Sequence, residues 1–384
     1  MKFFTKWTAV AIVAGLFAVV LSWDKFGKPL LFDLFQWVTS HEKIASTTFR
    51  MPPSKTPYDQ WLDQARSRIP VFEGVMIQDV RSIELEPWPA QGEEIQGLYL
   101  KFSDYQMTDG RIIELPPHTS TAARRHFFEI GFYAFGGPGH TLVQQEGYPE
   151  QRIDWDYRSL ISIPINARYQ HFSDSEQAIR LFAVSSFPFI INAIASENFA
   201  FDNDLALTER YAAQADYFSH ESRVSSTVTR QNFVADALAA QTEQQAHRRE
   251  GATGMRWIMS ENSMLSTRVS EMAPRMYKEA HRHSSDAFIL LLSGEGYSLA
   301  WKEGLYGKRI RVDWHEGTLF VPPIYWYHQH FNPGDELARY LAIHTPYLVQ
   351  NLGLRFIDQM KRDLPEVAEE WTRELEKRKD SRRQ

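Results

Sequence analysis

The feature that most constrains the fold of this chain is an internal repeat, in which the middle of the sequence reappears near the end. The segment 114–139 aligns without gaps on 271–296, and both copies carry an Arg-His pair and two glycines at matching positions. A second block also repeats, because 154–180 matches 313–339 in its Asp-Trp, Gln-His-Phe and Arg motifs. Self-similarity of this kind indicates one structural unit present twice. We therefore predict two tandem domains of the same fold.

Three histidines of the second copy form a candidate metal site. His281 and His283 open an apolar segment that runs to a Gly-Glu-Gly turn, and His328 follows the stretch 317–327. Residues two apart on a strand point to the same face, so the first two imidazoles lie together. An imidazole from a later strand completes one face of a coordination sphere. Imidazole suits Fe, Zn, Cu and Ni, and open coordination positions are typical of catalytic metal sites.

These motifs and their spacings resemble the paired metal motif of the cupin superfamily, a small antiparallel β-barrel that holds a transition metal. Because the motif occurs twice, the chain is similar to a two-domain cupin, or bicupin. The resemblance implies a mainly β fold: two tandem cupin barrels of the double-stranded β-helix (jelly-roll) type. A helical connector, an N-terminal hydrophobic helix and a C-terminal helix are expected around them.

The second copy departs from the common cupin pattern at one position. Many cupins add a glutamate ligand seven residues before the glycine that ends the strand, and here that position holds Ala287. Asp286 is one residue off, which on a strand points it to the opposite face. A three-histidine site without a carboxylate resembles that of gentisate-dioxygenase-like cupins. This resemblance implies Fe(II) as the cofactor, with Mn, Zn or Ni as further possibilities.

The first copy has lost two of the three ligand positions. Arg124 occupies the position of His281, and Tyr169 occupies that of His328, while His126 is kept. Arginine stays protonated and repels a divalent cation, so the first barrel is predicted to be metal-free. It either has a structural role, which we favour, or binds an anion through Arg124.

The predicted organisation has six parts. They are a membrane anchor or signal segment (1–28), an N-terminal connector (29–74), a degenerate cupin barrel (75–195), a partly helical connector (196–252), a metal-binding cupin barrel (253–348), and a C-terminal helix with a charged tail (349–384). Helical turns are expected around 207–217 and 231–247 in the connector. The C-terminal helix is expected to begin after Asp363 as its cap, with Leu364, Ala368, Trp371 and Leu375 on one face.

The N-terminus carries a localisation signal. A basic lead of six residues precedes an apolar run from Trp7 to Trp23. An uncleaved membrane anchor is favoured over a cleaved signal peptide, because the two tryptophans are typical of interfacial positions. Lys2 and Lys6 predict the N-terminus on the cytoplasmic side. The cupin body is therefore expected outside the cytoplasm, anchored or secreted.

The composition excludes two classes of function. The net charge is −6 and no basic stripe is present, so nucleic acid is not an expected partner. Cysteine is absent, which excludes disulfides, thiolate metal sites and cysteine nucleophiles. The expected partners are a small-molecule substrate and, through the N-terminal segment, the membrane. A homo-oligomer remains open.

The favoured function is a metal-dependent dioxygenase-like oxidoreductase that acts on a small chelating organic substrate. The alternative is a non-enzymatic metal- or ligand-binding module held at the membrane, since cupin folds host both kinds of function. A metal decarboxylase or isomerase is a third option, but these usually use the missing glutamate. The expected substrate pocket is lined by Tyr277, Glu279, Tyr297, Trp326, His330 and Arg339.

Overall fold

The computed structural model describes residues 55–104, 106–244, 250–260 and 264–381. The predicted anchor or signal segment at 1–28 lies outside these residues, and the predicted membrane association and localisation stay predictions. Within the described residues, no helix is both long enough and apolar enough to cross a membrane.

The first barrel consists of an eight-stranded and a three-stranded sheet. The larger sheet contains β1 (Val71–Glu73), β3 (Glu86–Pro87), β4 (Gln96–Lys101), β5 (Asp109–Leu115), β6 (Ile130–Ala134), β9 (Leu160–Ile163), β11 (Ile179–Ser185) and β14 (Phe233–Val234). The smaller sheet contains β7 (Gly139–Gln144), β8 (Gln151–Trp155) and β10 (Arg168–Ser173). Apolar side chains from both sheets share one core.

The second barrel consists of a nine-stranded and a six-stranded sheet. The larger sheet contains β2 (Met76–Ile77), β12 (Ser222–Ser225), β13 (Val228–Arg230), β15 (Glu243–Gln244), β16 (Ala252–Ile258), β17 (Ser266–Met272), β20 (Ala287–Ser293), β23 (Leu319–Phe320) and β25 (Ala338–His344). The smaller sheet contains β18 (Met276–Tyr277), β19 (His281–His283), β21 (Gly296–Trp301), β22 (Ile310–Trp314), β24 (Tyr327–Asn332) and β26 (Ile357–Gln359). The prediction of a mainly β fold with two barrels is confirmed.

Helices are few and lie outside the sheets. The α-helices within the described residues are α1 (Pro57–Ala65), α2 (Phe187–Ile194), α3 (Glu197–Phe201), α4 (Pro346–Asn351) and α5 (Pro365–Ser381). Short 3₁₀ turns occur at Pro89–Gln91 and Tyr306–Lys308. A capping box fixes the start of α1, because the side chains of Thr56 and Asp59 each accept a bond from the other's backbone N–H.

Two short strands cross from one barrel to the other. Strand β2 follows β1 of the first barrel in sequence but pairs with β23 of the second. Strand β14 lies between the two repeats and pairs with β9 of the first. The two barrels are therefore joined by exchanged strands as well as by the connector.

Two arginines at matching repeat positions fasten these exchanged segments. Arg180 Nη1 donates to the carbonyl oxygens of Val80 and Ile83, both at 2.9 Å, just after β2. Arg339 Nη1 donates to the carbonyl oxygens of Leu238 and Ala240, just after β14. The Nε of Arg180 lies 2.6 Å from the Glu114 carboxylate, and that of Arg339 lies 2.6 Å from the Glu271 carboxylate. These two glutamates also occupy matching positions of the repeat. Arg339, predicted as a pocket residue, therefore fastens the segment that follows β14 and does not reach the metal site.

The barrels pack against each other through a shared apolar core. Strand β20 shows how the two faces divide: Phe288, Leu290 and Leu292 pack in the cluster that both barrels build. Ala287 and Ile289 point the other way, into the interior of the second barrel. The alternation follows directly from the two-residue period of a strand.

The connector differs from its prediction. The segments 207–217 and 231–244 form turns and the short strand β14 with β15, and not the expected helices. The connecting segment also contributes β12 and β13, which pair with each other and extend the second barrel through β16. Tertiary pairing along open sheet edges overrides the helical propensity of this Ala- and Gln-rich stretch.

The predicted C-terminal helix is present as α5, and it covers the outer face of the smaller sheet of the second barrel. Val367 is 1% exposed and packs there with Leu364 and Trp371. Ala368, expected on the buried face, is exposed. The Asp363 carboxylate, expected as the cap, accepts bonds from Tyr277 Oη at 2.9 Å and Gln329 Nε2 at 3.1 Å.

Candidate metal centre

The three predicted histidines lie together on two neighbouring strands. His281 on β19 sits directly opposite His328 on β24 in the antiparallel register. His283, two residues along β19, points to the same side. The ring centroids are 4.4 Å apart for His281 and His328, and 4.9 Å apart for His283 and His328. One potential ligand atom from each histidine lies within 4.8 Å of the other two, so a single ion can contact all three.

Backbone carbonyls orient all three rings in the same way. Each Nδ1 lies within hydrogen-bonding distance of a carbonyl oxygen two residues away, those of Glu279 (3.0 Å, to His281), Ser285 (2.6 Å, to His283) and Trp326 (3.1 Å, to His328). A carbonyl accepts only from a protonated nitrogen, which assigns the proton to Nδ1 and the lone pair to Nε2. A second hydrogen bond that fixes the tautomer is typical of metal-binding histidines.

The donor set fits a divalent transition metal. His281 and His328 are 7% and 3% exposed, and His283 is half-buried. Three neutral nitrogens on one side of an ion leave other positions open for substrate. Asp286 does not join them, because it points into the contact between the barrels, where its Oδ2 accepts from Thr108 Oγ1 at 2.7 Å. Ala287, at the position of the usual glutamate, is buried in the barrel interior.

A cavity of about 660 Å³ opens at the histidines. Its lining includes His281 and His283 together with Ser226, Thr227, Gln244, Arg256, Arg268, Ser284, Ser285, His344, Pro346, Val349, Arg355, Phe356, Ile357 and Gln359. Three of these are arginines, and no aspartate or glutamate is among the described residues that line the cavity. The charge of the lining therefore favours an anionic ligand.

Most of this lining was missed from the sequence. Strand β26 pairs with β19 so that Gln359 lies opposite His281, and Ile357 lies opposite His283. This strand comes from the segment predicted as the C-terminal tail, more than seventy residues further along the chain. Its pairing is long-range and leaves no periodic signal in so short a segment. Arg268 could have been found, because the repeat places an arginine, Arg111, at the equivalent position of the first copy.

Two predicted pocket residues point away from the cavity. Tyr277 and Tyr297 both pair in register with Phe331, and their rings pack beneath α5. Tyr277 is expected in the pocket because an even number of residues separates it from His281, which on one continuous strand would place both side chains on the same face. The pairing with β24 is interrupted between β18 and β19, and its register shifts by one residue there. A shift of one residue sends a side chain to the opposite face.

The remaining predicted pocket residues also lie outside the cavity lining. Glu279 and Trp326 contribute to the site through the backbone carbonyls that orient His281 and His328. His330 is 2% exposed, and its Nδ1 lies 2.8 Å from Ser298 Oγ. Hence none of the six predicted pocket residues, all within the described part of the chain, lines the cavity.

His330 belongs to a structural triad that both barrels contain. Trp314 Nε1 donates to Ser298 Oγ at 3.0 Å, and Ser298 Oγ bonds to His330. The same arrangement in the first barrel joins Trp155, Thr141 and His171 at 2.9 and 2.7 Å. Because it persists where two ligand positions are lost, this triad supports the barrel and not the metal.

The first barrel shows what replaces a metal at the equivalent position. Arg124 pairs with Tyr169 across the strands as His281 pairs with His328. His126 Nδ1 lies 3.0 Å from the Phe128 carbonyl oxygen, and its Nε2 lies 3.2 Å from Tyr169 Oη. The Tyr169 hydroxyl thus bonds to Nε2 of His126, the nitrogen that would have to bind a metal. Burial lowers the pKa of His126 to about 3, so this imidazole stays neutral.

Comparison with solved structures identifies the class of fold. The structure matches a salicylate 1,2-dioxygenase from Pseudaminobacter salicylatoxidans with a TM-score of 0.54 at 13% identity, covering 88% of this chain and 99% of that one. A tryptophan-to-tyrosine variant of that enzyme in complex with gentisate gives 0.53 at 11% identity, covering 88% and 97%. An oxalate decarboxylase from Bacillus subtilis gives 0.47 at 12% identity, covering 78% and 85%.

The chain has the two-barrel cupin (bicupin) fold of these structures, with both barrels within the described residues. At these identities the likeness concerns the fold alone. No protein-family model matches the sequence, and no curated protein sequence matches it. The activity must therefore be argued from the site.

Proposed function

We propose that the second barrel is the active site of a metal-dependent, dioxygenase-like oxidoreductase that acts on a small chelating organic anion. The observation that carries the proposal is the set of three imidazoles whose Nδ1 atoms are all fixed by carbonyls and whose ligand atoms converge within 4.8 Å. Two of them, His281 and His283, line a cavity that also contains three arginines. A purely structural metal site would be closed by a fourth protein ligand.

His281, His283 and His328 would hold the ion, for which Fe(II) is the first choice and Mn(II) also fits; Zn and Ni are further possibilities. When bound, the ion would supply the open positions and redox chemistry that oxygen activation requires. No carboxylate of the described residues joins the three histidines, so a bound ion would keep its positive charge. That charge favours a substrate that brings its own anionic oxygens.

The arginines of the cavity would bind and orient this anion. Arg256 and Arg268 lie opposite each other on β16 and β17, so both side chains occupy the same face. The Arg256 guanidinium lies 5.7 Å from the Tyr347 ring centroid, and this cation–π contact restrains it. Apolar side chains of Val349, Phe356 and Ile357 complete the lining.

Oxygen uptake by the iron-loaded full-length protein tests this proposal. An ortho-hydroxybenzoate such as salicylate or gentisate should raise dioxygen consumption at least about tenfold above the rate without substrate. The para isomer, 4-hydroxybenzoate, is the matched control, because its two oxygen groups cannot chelate one ion. No uptake with a panel of chelating hydroxy and keto acids, in protein that binds its metal, would instead favour the non-enzymatic binding module.

A further inference from the structure

We propose that the first barrel contains a second ligand site, selective for a small planar carboxylate, in a separate cavity between Arg111 and Arg124. This cavity has a volume of about 210 Å³. It belongs to the barrel that has lost its metal ligands. The proposal does not depend on any activity of the second barrel.

The cavity is the internal counterpart of the one at the metal centre. Arg111 lies opposite Ala183 in the pairing of β5 with β11, as Arg268 lies opposite Ala342 in the pairing of β17 with β25. Arg124 stands at the position of His281, which lines the cavity of the second barrel. The first barrel thus keeps the pocket arginine and replaces a metal ligand with a second guanidinium.

Arg124 carries a positive charge that is not neutralised within the described part of the chain. Among the described residues, no carboxylate forms an ion pair with it, and its buried Nε has no hydrogen-bond partner. Burial lowers the pKa of Arg124, and the positive charge of Arg111 lowers it further. Burying an unpaired charge is costly, so a bound anion would relieve both the desolvation and the repulsion.

Arg111 is also poised toward the cavity. It is 5% exposed, and its Nε is buried without a partner. The nearest carboxylate, that of Asp109, lies 3.7 Å from Arg111 Nη2, and Asp109 also accepts bonds from Tyr99 and Ser185. Among the described residues, Asp109 pairs with Arg111 and no carboxylate pairs with Arg124, which leaves an excess positive charge at the cavity.

The walls of the cavity select the shape of the ligand. Flat aromatic side chains dominate the lining, those of Trp61, Trp88, Tyr99, Phe187 and Phe201. At its exposed side, Arg68 and Glu197 pair at 2.6 Å and add no net charge. The volume lies below the usual range of about 300–1,000 Å³ for drug-sized ligands. A guanidinium fork binds a carboxylate through two parallel hydrogen bonds, so a ligand of benzoate size and shape fits.

Binding of 4-fluorobenzoate to the full-length protein, followed by fluorine NMR, tests the proposal. A background with Arg256→Gln, Arg268→Gln and Arg355→Gln removes the three arginines that line the other cavity, so that the first-barrel site is observed. We expect one saturable site there, and Arg124→Gln added to this background should weaken binding at least about tenfold. Arg125→Gln is the matched control, because Arg125 is the next residue but pairs with Asp204 outside the cavity. It should bind like the background.

Two further measurements separate ligand binding from a structural role. Without ligand, Arg124→Gln should unfold at the same urea concentration as the background or a higher one, since it removes an unpaired buried charge. If that variant fails to fold, Arg124→Lys decides: it keeps the charge, loses the fork, and should also weaken binding at least about tenfold. The proposal is overturned if no saturable site exists in the background. It is equally overturned if Arg124→Gln binds as tightly as the background, or if inorganic phosphate competes as well as unlabelled benzoate.

Discussion

The His283→Gln variant is expected to lose metal affinity by more than about 100-fold and, with it, substrate-dependent oxygen uptake. Loss of a residue that merely orients a ligand already costs about 10- to 100-fold in metal affinity, and this change removes a ligand itself. Two imidazoles would remain, and among the described residues no carboxylate joins the group to replace the third, Asp286 pointing away from it. Metal titration and an oxygen electrode measure the two effects.

The repeat supplies a matched control in the same chain. His126 occupies the position of His283 in the first barrel, and its Nδ1 bonds to a carbonyl two residues ahead in the same way. His126→Gln should keep the metal content and the oxygen uptake of the wild-type protein, because Tyr169 and not a metal occupies its Nε2. Equal losses in the two variants would mean that the effects report stability and not metal binding.

The Asp286→Ala variant is expected to lower the free energy of unfolding by about 3 kcal/mol or more. Asp286 is fully buried, and its Oδ2 accepts from the backbone N–H groups of Met107 and Thr108 and from Thr108 Oγ1. These donors belong to the first barrel, whereas Asp286 directly precedes β20 of the second. The substitution leaves three donors, two of them on the fully buried Thr108, without their acceptor at the junction of the barrels.

Urea unfolding measures this loss, and Asp313→Ala provides the comparison. The Asp313 side chain is 68% exposed and pairs with Arg311 at 2.7 Å. Exposed ion pairs contribute little, so Asp313→Ala should change stability by less than about 1 kcal/mol. If Asp286→Ala were no more destabilising than Asp313→Ala, the carboxylate would not link the barrels as described.

The candidate ligands could be predicted because their signal is local and occurs twice. A two-residue spacing places His281 and His283 on one face, and the repeat shows which positions the first barrel has lost. Counting residues also predicts that Asp286 and Ala287 point to opposite sides, and the structure shows this where Asp286 directly precedes β20. Within a single regular strand, the face to which a side chain points follows from counting residues along that strand.

The lining of the pocket could not be predicted, because the alternation of side chains along a strand does not continue across an interruption of that strand. Tyr277 was expected beside His281, but the chain shifts register between them and sends the tyrosine beneath α5. Strand β26 joins the site through a pairing with β19 that no local pattern records. The connector likewise joins sheet edges as β14 and β15, because long-range pairing there outweighs local propensity.

The number of metal ions per chain tests the central claim most directly. We predict that the full-length protein, loaded with Fe(II) without oxygen and freed of excess metal, contains one ion per chain by mass spectrometry. His283→Gln should contain almost none, and His126→Gln should still contain one. Two ions per chain in the wild-type protein, or an undiminished content in His283→Gln, would contradict a single three-histidine centre in the second barrel.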